Sequence, residues 1–256
     1  MFSRTTRNVL VSLLLASSAQ AAEINLICVG DSLTEGSDWM VNLAGAGYSF
    51  TYVDVGQAGE DSWDAATGIH ASSTGRFRTY LSSTYPGDAT ASDTFVLFYG
   101  TNDVRRNWGV SPNEVEYEAA MEQMLQDALA LGRPVVLVIP PGFVTGSGST
   151  HDQAEVDEYN GKLENEVTTV LEGLRDTYVA AGWPVALVDA RTPWKALPGQ
   201  PDLEYYALAN GVKDGVHPGT ETNTPTGKAG RRELAEIIGP FISQAQPKSR
   251  YVGGSF

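Results

Sequence analysis

The chain has 256 residues, with 31 Asp and Glu against 17 Lys and Arg and a formal net charge of −14. So acidic a surface repels nucleic acid and anionic lipid headgroups and slows the approach of polyanions, which argues against a nucleic-acid partner and for a neutral or masked substrate. The single cysteine, Cys28, excludes an intrachain disulfide, and a chain of this length buries a substantial core without such staples.

Residues 1–21 have the layout of a secretory signal peptide: Arg4 and Arg7, an apolar stretch over 9–16, and Ala19-Gln20-Ala21 as a small-residue cleavage site. The mature protein is expected to begin near Ala22 and to work in the periplasm or outside the cell. Loss of Arg4 and Arg7 leaves 15 of the 17 basic residues against the 31 acidic ones. No later apolar run approaches the length of a membrane span, so no stable membrane insertion is expected. Residues 22–256 read as a single domain with a loose polar tail from about 245.

An apolar run over 24–29 predicts a buried first strand, with Cys28 as a small apolar residue inside it. It stops at Gly30-Asp31-Ser32-Leu33-Thr34-Glu35-Gly36. These are turn formers, but a hydroxyl just past a strand end also faces the edge where α/β sheets bind ligands. A phosphate-binding loop is excluded there, because the segment lacks a lysine and Asp31 and Glu35 would repel the anion. A helix is predicted over 38–46, a second strand over 50–55 ending at Gly56-Gln57-Ala58-Gly59, and, after a weakly patterned stretch, a helix through 76–81.

Residues 94–99 form a continuous apolar run suited to a central parallel strand, which ends at Gly100-Thr101-Asn102-Asp103. Ser111, Pro112 and Glu114 signal the start of a long helix with Tyr117, Met121, Met124, Leu125, Ala128 and Leu131 on its apolar side and Gly132 as its stop. A fourth strand follows at 134–139. Asp152 and Glu155 then make a second capping box, before one helix bearing Val156, Leu163, Val167, Leu171, Leu174 and Tyr178. A fifth strand is predicted at 185–188, then an irregular segment over 189–211, then Asp214-Gly215-Val216-His217-Pro218 read as a turn. A last helix carries Leu234, Ile237, Ile238 and Phe241. Strands alternating with helices predict a three-layer α/β/α sandwich around a parallel sheet, with Ser32, Gly59 and Asn102 all just past strand ends.

The chemistry-bearing residues converge on acyl transfer. A serine hydroxyl needs a base to take its proton and the base needs an orienter, and Asp214 and His217, three residues apart, supply both. The Ser32 and Gly59 backbone amides and the Asn102 side chain are candidate donors to the oxyanion of a tetrahedral intermediate. Four blocks, Gly30-Asp31-Ser32-Leu33, Gly59, Gly100-Thr101-Asn102-Asp103 and Asp214-Gly215-Val216-His217, stand in an order that resembles the SGNH, or GDSL, hydrolases over about residues 24–241. That resemblance implies a flavodoxin-like sheet of five parallel strands. It also implies Ser32 as nucleophile, His217 as base, Asp214 as its orienter, and Ser32, Gly59 and Asn102 as the oxyanion hole. The second block departs from the family's usual Asn-x-Gly-x-x-Gly form, with Gln57 and Ser62 where Asn and the second Gly would stand.

His70 and His151 sit in polar, loop-like surroundings and read as solvated. Three scattered histidines and one cysteine have no metal-ligand spacing, so neither a metal nor a cofactor is expected. Trp63 and Trp108 follow the second and third blocks and read first as packing residues, with the border of a cleft as the alternative. Arg105 and Arg106 read as solvated or paired with local acids, with an anionic substrate group as the alternative. The expectation is a secreted serine esterase acting on short, acetyl-type esters, with a small-molecule or glycan ester as its partner. A periplasmic thioesterase or lysophospholipase, and a noncatalytic glycan-binding protein on a hydrolase scaffold, are the alternatives.

Overall fold

The structure is a computed structural model and describes residues 23–35, 39–43, 49–67, 76–105, 114–144, 152–197, 206–209, 212–218 and 230–245. Five strands, β1 (Ile24–Gly30), β2 (Phe50–Gly56), β3 (Asp93–Phe98), β4 (Val135–Ile139) and β5 (Val185–Asp189), form a sheet in the order β2-β1-β3-β4-β5. Every adjacent pair is parallel. The order reverses direction at β1, so the crevice past the carboxyl ends of β1 and β3 is the switch point where such sheets bind ligands. The expected three-layer α/β architecture is what the chain adopts.

Successive strand residues serve opposite faces, as the two-residue strand period requires. Ile27, Val29, Phe95, Leu97, Val135 and Leu137 join one core cluster, while Leu26, Cys28, Val96, Phe98, Val136 and Val138 join the other. The first face is covered by α2 (Ser62–Thr67), α3 (Arg76–Ser83), α4 (Tyr85–Asp88), α6 (Glu114–Ala130) and α8 (Thr168–Ala180). On the second lie α1 (Trp39–Asn42), α9 (Arg191–Ala196) and α10 (Gly230–Ala245), which contribute Trp39, Trp194, Leu234, Ile238 and Ile242. Burial of each such side chain stabilises the fold by roughly 1.5–3 kcal/mol, which is why the apolar runs were readable as strands.

Several local readings needed correction or fall elsewhere. The stretch after β2 contains α2 as well as the expected α3, because Asp61 Oδ1 accepts the Asp64 N–H and Asp103 engages Ser62, a cap supplied from distant sequence. Asp152 and Glu155 form the expected capping box. The helix they start is not uniform. It runs as α7 (Gln153–Lys162), a π-helical turn (Leu163–Val167) and α8, with Thr168 Oγ1 donating to the Leu163 carbonyl at 2.7 Å. The segment expected to be irregular holds α9 and a strand, β6 (Tyr206–Ala209), which pairs antiparallel with β7 (Val212–Pro218). The predicted signal peptide, the Ser111 and Pro112 cap, His70, His151, Arg106 and Trp108 lie outside the described residues. Among the described residues no helix is long and apolar enough to cross a membrane.

Candidate active site

The turn after β1 is built by its own first residue. Asp31 Oδ1 accepts the Leu33 N–H at 2.8 Å, and the Asp31 carbonyl accepts the amides of Thr34 and Glu35 at 3.0 and 2.9 Å. Two glycines make room for it. A Cβ on Gly30 would stand 2.6 Å from the Phe98 carbonyl oxygen, and one on Gly56 would stand 2.3 Å from the Glu35 amide. The chain therefore turns sharply at the sheet edge and presents Ser32, partly buried, at the end of the strand.

His217 reaches that serine from outside the sheet. Its Nε2 lies 2.8 Å from Ser32 Oγ, across 185 positions of sequence. The Asp214–His217 segment, expected as a turn, belongs to strand β7. In a regular strand, residues three apart face opposite sides. Here the ladder is irregular: Tyr206 pairs with Pro218 and Leu208 with Lys213, so two steps along β6 face five along β7. The register therefore shifts over this stretch, an irregularity of the kind found beside active sites. The side chain of Asp214 is not among those described. Arg231 of α10 donates from Nε to the Pro218 carbonyl at 3.1 Å and so ties the end of β7 to the helix beneath it.

Gly59 and Asn102 follow the two strands that flank β1. Gly30 pairs in register with Gly56 of β2 and with Phe98 of β3, so the three strand ends are level. Gly59 has φ 77°, a left-handed conformation that suits glycine, in a turn fastened by the Gln57 amide to the Gly30 carbonyl at 2.9 Å. Glu35 accepts the next amide, that of Ala58. Asn102, in the first turn of α5 (Thr101–Arg105), is 6 % exposed and donates from Nδ2 to the Glu60 carbonyl at 3.0 Å. A side-chain amide carries two N–H groups, so this bond fixes its plane while leaving a second donor.

Burial sets the electrostatics. It pushes the Asp31 carboxyl up to about 6, against the pull of the Leu33 amide, His217, the Asn102 amide and Arg105. Asp103 is pushed up to about 7 by burial, although Ser62 hydrogen bonds to it. Burial also raises the Cys28 thiol well above its ordinary value, as expected of an inert core residue. Trp63 is partly buried and packs against the larger core cluster, the packing role expected of it.

A pocket of about 60 Å³ opens beside Ser32 and His217, walled by Leu33, Trp39, Leu234 and Arg231. Sequence reasoning missed Trp39, Leu234 and Arg231 as site residues because helical periodicity marks them only as core or surface. It also missed Tyr99, Ser62 and Asp103, which hold the turns of the site together. The one signal available was the placement of Asp103 directly after Asn102.

A family model described as "GDSL-like Lipase/Acylhydrolase family" matches residues 28–224. No curated protein matches the chain. Among solved structures, the lipase/acylhydrolase from Enterococcus faecalis is 18% identical, with 85% of this chain and 94% of that one covered at a TM-score of 0.56. A catalytic mutant of an acetylxylan esterase from Geobacillus stearothermophilus is 16% identical, covering 87% and 94% at 0.55. The aryl esterase of M. smegmatis is likewise 16% identical, covering 85% and 97% at 0.53. At such identities these likenesses establish the shared fold.

Proposed function

The chain belongs to the GDSL-like lipase/acylhydrolase family, and from that premise we propose that it is a secreted serine esterase that removes short, acetyl-type acyl groups, with carbohydrate esters as its substrate class. The observation that carries the mechanism is the 2.8 Å contact between Ser32 Oγ and His217 Nε2, a nucleophile within hydrogen-bond reach of its base.

In this reading His217 Nε2 takes the Ser32 proton as Oγ bonds to the ester carbonyl carbon. The carbonyl oxygen becomes an oxyanion, met by the backbone amides of Ser32 and Gly59 and the free N–H of Asn102. Collapse of the intermediate breaks the bond to the alcohol oxygen, which leaves with the proton held by His217, and the acyl group stays on Ser32. Water then attacks, again losing a proton to His217, and the acid departs as Ser32 Oγ recovers that proton. Asp214 is assigned to orient the imidazole, on the strength of its place three residues earlier in the irregularly paired β7.

The acyl preference is supported by the pocket beside Ser32. A water needs roughly 10–15 Å³ of such space, so about 60 Å³ takes a group of a few heavy atoms between Trp39 and Leu234. Export follows from the leader-like first 21 residues, and a glycan ester from that location and from the acetylxylan esterase among the fold neighbours. The test is a series of p-nitrophenyl esters of increasing acyl length. Wild type should peak at acetate, and Ser32→Ala should lose at least about a thousandfold in kcat. Full activity in Ser32→Ala would remove the mechanism, and a peak at long chains would replace glycan esters by lipid or thioester substrates.

A further inference from the structure

The turn that carries Gly59 is gripped by one short segment of chain on the far side of β1. Tyr99 Oη donates to the Glu60 carboxylate at 2.8 Å, Asn102 Nδ2 donates to the Glu60 carbonyl at 3.0 Å, and Asp103 Oδ1 accepts from Ser62 twice. The Ser62 amide donates to it at 2.9 Å and the Ser62 hydroxyl at 2.5 Å. Ser62 is the first residue of α2, whose opening N–H groups have no partner within the helix. Asp61 caps the Asp64 amide locally, and Asp103, 41 positions away, takes the Ser62 amide.

The consequence falls on Gly59, three residues before Ser62. Glycine visits left- and right-handed backbone with similar ease, so its φ of 77° is held by whatever anchors the turn on each side. The anchor before it is the Gln57 amide on the Gly30 carbonyl. After it, Glu60 is held by Tyr99 and Asn102, and Ser62, where α2 begins, is held by Asp103. Asp103 is fully buried, and its Oδ1 accepts both Ser62 donors. Two hydrogen bonds converging on one acceptor oxygen fix direction as well as distance.

The geometry points to Asp103 as a positioning residue for catalysis: through Ser62 it fixes the start of α2, and with it the Gly59 turn, so that the turn's amide is already in place for the oxyanion. This rests on the esterase reading above, in which the Gly59 amide is one of the donors. Displacement of a catalytic group by about 1 Å costs on the order of a hundredfold, and loss of one oxyanion donor costs about a hundredfold or more.

The experiment measures kcat and KM on p-nitrophenyl acetate, and the inhibition constant of phenylboronic acid, which forms a tetrahedral adduct on an active-site serine. Asp103→Leu, Asp103→Asn and Ser62→Ala are compared with wild type and with Ser32→Ala, each checked for folding by circular dichroism. Asp103→Leu should lose about ten- to a hundredfold in kcat with KM changed by less than about twofold, and boronate binding should weaken in parallel. Asp103→Asn keeps an Oδ1 acceptor and should stay within about threefold of wild type, whereas Ser62→Ala, which keeps only its amide, should fall between. If Asp103→Leu does not fold, the order of the other two decides. Unchanged kcat in Asp103→Leu or Ser62→Ala overturns the proposal, as does Asp103→Asn falling as far as Asp103→Leu. Activity surviving in Ser32→Ala would instead overturn the esterase reading.

Discussion

Gly30 and Gly173 are the same residue type under opposite constraints. A Cβ at Gly30 would meet Thr34 Oγ1 and the Phe98 carbonyl inside van der Waals distance, and the carbonyl belongs to a buried strand that cannot move aside. Gly30→Ala should therefore destabilise the protein by about 3 kcal/mol or more in urea unfolding and displace Ser32. Gly173 sits within α8 with nothing within 4 Å of a Cβ, so Gly173→Ala should stabilise by about 0.5–1 kcal/mol. An equal effect of the two substitutions would contradict the close approach of β1 and β3 on which the turn depends. In the sequence both are a glycine between ordinary neighbours. Only the first follows an apolar run and precedes Asp-Ser, which is why the turn bearing Ser32 was legible and the cause of its glycine was not.

Helix α10 serves both the core and the wall of the pocket beside Ser32. Its Leu234, Ile238 and Ile242 are fully buried in the second core cluster, and Leu234 also walls the pocket beside Ser32. Leu234→Ala should cost about 2–5 kcal/mol by leaving a cavity, and the same cavity should lengthen the pocket. The ratio of kcat/KM for p-nitrophenyl butyrate over acetate should rise, while Ser32 and His217 keep their contact. A variant that loses stability with an unchanged ratio would place the acyl group elsewhere. The hydrophobic period of α10 was visible in the sequence, whereas its second duty was not, because that duty arises from the β6–β7 hairpin brought alongside it. The hairpin itself escaped notice since β6 is short and the stretch of β7 that bears His217 is irregularly paired.

Across the molecule, buried carboxyls give stability a pH dependence of definite sign. Burial holds Asp31 at about 6 and Asp103 at about 7, both above the ordinary 3.8, so between those values the native state binds more protons than the unfolded chain. The unfolding free energy then falls as pH rises from about 4 to 8. Asp93 acts oppositely. Burial pushes it up, but hydrogen bonds from Thr90, Asn25 and Tyr85 hold it below its usual value, so its contribution is present above the ordinary carboxylate range and is lost in stronger acid. Urea midpoints should accordingly decline from pH 5 to pH 8, and Asp103→Asn should flatten that decline. A wild-type midpoint that climbs across this range would mean the two carboxyls are ionised in the native protein throughout.

The sequence by itself determined the strand-helix alternation, the residues just past β1, β2 and β3, and the candidate base half at Asp214 and His217, because apolar runs and turn chemistry are local properties. It also sufficed for the Asp152 cap and for Cys28 as a core residue, since both follow from a few neighbouring side chains. The tertiary structure alone decided which residues meet. Strand order brings the ends of β1, β2 and β3 level, an irregular hairpin delivers His217 across 185 positions, and Asp103 caps a helix 41 positions before it. Contacts of that kind depend on the closing of long loops and on packing between layers, and no window of sequence contains both partners.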